Sequence, residues 1–97
     1  MATFIVLGNF TDQGIRNVKE TTKRAEAFKT LGKKAGATVK EIYWTMGQYD
    51  LVTIVDAPDD QTATSLLLSV GVLGNVRSQT LRGFSAEEMG KIIGKMV

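Results

Sequence analysis

Five side chains in this chain have types and positions that suggest chemistry: Asn9, Tyr43, Tyr49, Asp50 and Arg77. Tyr49 and Asp50 are adjacent, a phenol beside a carboxylate, and such a pair can orient a ligand or accept a proton. Asp50 also opens an otherwise apolar stretch. The ordinary role of an aspartate there is to accept backbone N–H bonds in a turn, with Gly47 supplying an unusual backbone angle. Arg77 shares a strand face with Gln79 and Leu81, and paired donors of this kind hold a carboxylate or phosphate. An interfacial salt bridge to Asp50 or Asp56 is the structural alternative for Arg77. Tyr43 and Trp44 are neighbours and point to opposite faces of a strand, one toward helices and one toward an interface. Together Asn9, Tyr43, Tyr49, Asp50 and Arg77 form the candidate ligand pocket, between sheet and helices.

The absences narrow the chemistry further. With no His and no Cys, the chain lacks the usual general base near neutral pH, the thiolate nucleophile and the commonest nitrogen and sulfur metal ligands. Ser65, Ser69, Ser78 and Ser85 have no His base to activate them. No glycine-rich loop precedes Lys-Ser or Lys-Thr, and the glycines lack dinucleotide-binding spacing. No loop spaces its oxygens for a hard cation. We therefore expect no metal and no cofactor.

These residues need elements to hold them. Residues 3–10 read as a strand apolar on both faces, followed by Thr11 as a helix N-cap. Ile15, Val18, Thr22, Ala25, Phe28, Leu31 and Ala35 recur at helical spacing, with a break near residue 21 and Gly36 as the terminating residue. Residues 38–46 and 50–57 form an antiparallel hairpin around Gly47-Gln48-Tyr49. Asp59 caps a second helix reaching about Leu73. It is apolar around most of its circumference and is expected to be buried on more than one side. Residues 75–82 make a fourth strand. Ser85 and Glu88 form a capping box for a last helix presenting Met89, Ile92, Ile93 and Met96 on one face. The fold class is α+β, a ferredoxin-like split βαβ: β-α-β-β-α-β plus a C-terminal helix, with a four-stranded antiparallel sheet. Residues 1–97 are read as one domain. The sheet carries helices on one face only, yet two strands are apolar on both, so a second copy packed sheet to sheet is expected to cover the other face. Such a pair is expected to bury on the order of 1,000 Å² or more.

The turn Gly47-Gln48-Tyr49-Asp50, the opening Phe-Ile-Val-Leu-Gly-Asn-Phe-Thr, the Ile-Tyr-Trp-Thr strand and the Ala-Pro-Asp-Asp joint together resemble the GYD domain family. The family takes its name from that Gly-x-Tyr-Asp turn, and Gly47, Tyr49, Asp50 and Asn9 match its motif positions. The resemblance spans essentially the whole chain. It implies a small ferredoxin-like protein of the dimeric α/β-barrel type, without an established biochemical function.

Partners follow from charge and pattern. Seven basic residues against three acidic ones give positions 11–36 a charge of +4, while the whole chain carries +2. Lys19, Lys23, Arg24, Lys29, Lys33 and Lys34 read as a solvated face rather than a polyanion site. RNA-recognition modules share this topology, but the stacking aromatic expected at Val6 is missing, so no nucleic acid is expected. The apolar run at the start stops at Gly8-Asn9 without a basic lead, and no stretch approaches the ~20 apolar residues of a membrane span. A cytoplasmic homo-oligomer is expected, binding a small hydrophobic or weakly anionic molecule. The alternative is a cofactor-independent enzyme, oxygenase- or isomerase-like, using Asp50, Tyr49 and Asn9 on a reactive substrate.

Overall fold

Local signals start and stop most elements, and a computed structural model describes all of residues 1–97. Strand β1 spans Ala2–Phe10. Thr11 then caps the short helix α1, Asp12–Arg16, its hydroxyl accepting from the Gly14 N–H. The expected break near residue 21 is present. Helix α1 ends at Asn17, a 3-10 turn covers Val18–Glu20, and helix α2 starts at Thr21 and runs to Lys34. Ile15 and Val18 are consequently exposed, while Ala25, Phe28 and Leu31 face inward. Gly36, at φ +84°, ends α2. The Ala37 N–H reaches the Gly32 carbonyl and the Gly36 N–H reaches that of Lys33, the paired bonds of a Schellman motif.

Strands β2, Thr38–Trp44, and β3, Leu51–Ala57, pair antiparallel, with a bulge at Lys40. Helix α3, Asp60–Gly71, is capped by the Asp59 carboxylate on the Thr62 N–H at 2.7 Å. Strand β4 covers Val76–Gly83, and helix α4, Ala86–Ile93, carries the full Ser85/Glu88 capping box. The sheet order is β2-β3-β1-β4 with every neighbour antiparallel, the ferredoxin-like arrangement.

Strand parity sorts the side chains. On one face lie Phe4, Val6, Val55 and Ala57, buried under α2 and α3 together with Ala37, Ala63 and Leu66. On the other lie Ile5, Leu7, Val52, Ile54 and Leu81, outside the buried core: the first four are partly buried and Leu81 is 39% exposed. Helix α3 buries only one side: Ala63 and Leu66 are inside, whereas Leu68 and Val72 are 65% and 82% exposed. The expectation of burial on several sides is corrected here, because α3 sits on an outer layer with no further element above it. Helix α4 has no extensive packing on the rest of the chain, and its apolar residues Met89, Ile92, Ile93 and Met96 are exposed. The projecting arm makes the molecule long, 50 × 31 × 18 Å, with a radius of gyration of 14.5 Å. A compact chain of this length has about 12.5 Å.

Two carboxylates titrate below their ordinary range because they cap helices. Hydrogen bonding from Thr62 lowers Asp59, and the Ser85 N–H lowers Glu88. A lowered native pKa stabilises the fold above the ordinary carboxylate range, and that contribution is lost as pH falls through the lowered value. In an acid titration followed by carboxyl NMR, Asp59 and Glu88 should protonate below the ordinary range. Loss of α3 and α4 amide protection should track them. In the core, Leu66→Ala should cost about 2–5 kcal/mol in urea unfolding, because the side chain is fully enclosed.

Candidate functional site

Two places in this fold could carry function: the motif turn with the open sheet face, and a cavity on the helix side. The turn follows from its residues. Gly47 adopts φ +107°, which side-chain-bearing residues rarely do. The chain then returns so that the Thr45 N–H meets the Asp50 carbonyl at 2.8 Å, and the Thr45 hydroxyl donates to the Tyr49 carbonyl. Asp50 is held from both sides. Its N–H donates to the Gly8 carbonyl at 2.9 Å, and its carboxylate accepts the Phe10 N–H at 2.9 Å. The carboxylate thus extends the β1–β3 ladder by one rung past the Gly8–Leu51 pair. It acts as a backbone cap on a strand forty positions away in sequence, so the partner is not a neighbour in the turn.

The other candidate residues lie on the open face. Asn9 and Arg77 oppose each other across β1 and β4, and Tyr43 stands opposite Val52 on β2 and β3. Arg77 has no carboxylate within ion-pair range. Asp56 instead pairs with Lys40 at 3.6 Å and accepts from the Thr3 hydroxyl at 3.1 Å. The Glu41 carboxylate raises the Tyr43 phenol above its usual pKa, which keeps it a protonated hydroxyl at neutral pH. Trp44, on the helix side as parity requires, donates its indole N–H to the Thr21 hydroxyl at 3.0 Å.

The cavity lies where α2 and α3 diverge above the sheet. Its volume is about 350 Å³, within the range of small-molecule sites. Val6, Gly8, Leu51 and Thr53 form its floor, Phe28 and Leu31 of α2 one wall, and Leu67 and Val70 of α3 the other. Gly8 helps keep it open: a Cβ there would come within 3.1 Å of Val76. Arg24 is the single charged side chain lining it. None of Asn9, Tyr43, Tyr49, Asp50 and Arg77 lines this space. Asn9, Tyr43 and Arg77 occupy the opposite register on their strands, and Asp50 turns back onto β1. Sequence reading placed Arg24 on a solvated basic face. The missed signal was its position one residue before the inward-facing Ala25.

Comparison with known proteins follows the same outline. The family model of the GYD domain matches residues 4–93. The chain belongs to the GYD domain family. A curated member of similar size, from Thermus thermophilus, is 32% identical over 90 residues, which is 92% of this chain and 95% of that protein. It is named glutamine synthetase and cystathionine beta-lyase binding protein. A crystal structure of another Thermus thermophilus chain aligns with a TM-score of 0.56 at 25% identity, over 89% of this chain and 96% of that one. A feast or famine regulatory protein from M. tuberculosis, complexed with L-methionine, aligns with a TM-score of 0.68 at 16% identity over 89% of this chain. This chain spans about half of that protein, 52% of its length, and the likeness is one of fold.

The GYD turn assigns Asp50 and Tyr49 different weights. Asp50→Ala should cost about 1–3 kcal/mol in chemical unfolding, since the Phe10 N–H loses its acceptor. Tyr49→Phe should stay within about 0.5 kcal/mol, because the backbone carbonyl, not the phenol, is the group held in the turn.

Proposed function

We propose that this GYD domain protein is a non-catalytic binding module that works as a homodimer or higher homo-oligomer. Its copies join through the open sheet face, and the helix-side cavity holds a small hydrophobic or weakly anionic molecule. The observation that carries this reading is the uncovered apolar face itself. Tyr43, Val52 and Leu7 form one rung across it, and Ile54, Ile5 and Leu81 the next. An apolar expanse of this kind on a soluble protein marks an interaction surface. Helix α4 supports the same conclusion from a second direction, because its Met89, Ile92, Ile93 and Met96 face finds no seat on its own chain. A second copy offers both surfaces a partner of matching chemistry.

The alternative, a cofactor-independent enzyme, would rest on Asp50, Tyr49 and Asn9. The Asp50 carboxylate is taken up by the Phe10 N–H. Asn9 faces the side of the sheet that the proposed dimer would cover. Both placements favour binding over catalysis. Recognition of another protein by the assembled module fits the printed name of the Thermus thermophilus relative. Leu68 and Val72, exposed on the outer side of α3, are apolar residues open to such a partner.

Native mass spectrometry of the protein purified from its own cells tests the assembly and its cargo together. We expect a dimer or larger species carrying a reproducible small-molecule mass. Ile54→Lys, which puts a charge in the centre of the open face, should shift the protein to monomer at micromolar concentration while leaving its circular dichroism unchanged. A wild-type monomer would remove the sheet-face interface from this reading.

A further inference from the structure

We infer that the helix-side cavity is a site for an apolar monocarboxylate, its chain lying against Phe28, Leu51 and Val70 and its carboxylate held by Arg24. This rests on the proposed reading of the cavity as a small-molecule pocket and adds the chemistry of what enters it. The walls set the first half of the ligand: they are largely aliphatic and aromatic, and such a surface favours an apolar chain.

Arg24 sets the second half. It is the one charged residue lining the cavity, it is half-buried, and none of the four ion pairs in the molecule includes it. A partly desolvated cation without a counter-ion is costly, and an incoming anion relieves that cost. The guanidinium is also held in place before any ligand arrives. One terminal nitrogen donates to the Asn17 carbonyl at 2.9 Å and the other to the Gly14 carbonyl at 3.2 Å, while the group lies 5.9 Å from the centre of the Phe10 ring. Those acceptors are carbonyls with no full charge, so no carboxylate of the chain neutralises Arg24. Three of the five guanidinium N–H donors stay free for a ligand. A pre-positioned fork loses little conformational entropy when it binds a carboxylate. Asn75 and Ser78 line the same cavity and add uncharged polar groups. With a single cation present, the site matches one negative charge rather than a polyphosphate. A cavity of about 350 Å³ suits a short or medium chain.

The test compares octanoate with octan-1-ol, which has the same chain and an uncharged head, by titration calorimetry on the full-length protein at neutral pH. Octanoate should bind once per chain, and octan-1-ol about tenfold more weakly or worse, the scale of one charge-assisted hydrogen bond. The fluorescence of Trp44, the single tryptophan, should change on octanoate binding, because its indole is tied to Thr21 on the cavity rim. Arg24→Gln should abolish the preference for the acid, and Arg24→Lys should keep part of it. Val70→Phe fills the cavity without touching Arg24 and should abolish binding of both ligands. It gives the test a second variant if Arg24→Gln loses the fold along with the α1 carbonyl bonds. Equal binding of acid and alcohol would overturn the role of Arg24 and leave the cavity reading standing, as would a preference that survives in folded Arg24→Gln. Failure of both ligands to bind, or binding untouched by Val70→Phe, would overturn the inference and the cavity reading with it.

Discussion

The structure depends on one mismatch: a sheet whose two central strands are apolar on both faces carries helices on only one. On the helix side, Phe4, Val6, Val55 and Ala57 close against Ala63 and Leu66 into a small core. A chain of this size buries a modest share of its surface in any case, and here the open-face apolar residues of β1 and β3 add nothing to the core. Burial of Ile5, Leu7, Val52 and Ile54 would contribute at roughly 25 cal/mol per Å² if something covered them. That unused stabilisation is the physical argument for a second copy. Helix α4 is short and amphipathic: its capping box sets the start, and Glu88 pairs with Arg82 of β4 at 3.8 Å.

The helix side is itself divided along the strands. Toward the start of β1, Phe4 and Leu66 fill the space between the layers. Toward its end, Gly8 provides no side chain, α2 and α3 part, and the cavity opens. The same end of the molecule gathers its tightest backbone contacts. At Gly14 a Cβ would lie 1.9 Å from the Asn75 carbonyl oxygen, and the Thr11 N–H donates to that same oxygen at 3.1 Å. Gln13 reaches the Leu73 carbonyl at 3.1 Å and the Asn75 side chain at 2.9 Å. Helix α1 is therefore stapled to the loop before β4, and Arg24 reaches across to the carbonyls that α1 leaves open. These bonds tie α1, the loop before β4 and Arg24 together along one rim of the cavity.

Asp50 shows how a motif residue can be structural without being ordinary. An aspartate at a turn usually bonds within the turn. This one bonds to β1, and by doing so fixes the end of the central strand pair beyond the Gly8–Leu51 rung. The Gly-x-Tyr-Asp signature of the family reads, in this chain, as a device that ends the hairpin and locks it onto the neighbouring strand.

What the sequence determined by itself is what depends on near neighbours. Thr11, Asp59 and the Ser85/Glu88 box set helix starts through bonds spanning two or three residues, and Gly36 ends α2 in the same way, so their positions could be read directly. Two-sided apolarity marked β1 and β3 as central, and element order then fixed the topology. Tertiary structure decided the rest. The extent of the break, Asn17–Glu20 just ahead of residue 21, follows from α1 being pinned to the loop before β4. Asp50 found its partner in Phe10, a contact no local rule can supply. Arg24 moved from a presumed solvated stripe to the wall of a cavity, since whether a helical position faces water depends on where the neighbouring helix lies. Periodicity gives a residue its side of a helix, but only packing shows whether that side meets core, solvent or an empty space large enough to bind something.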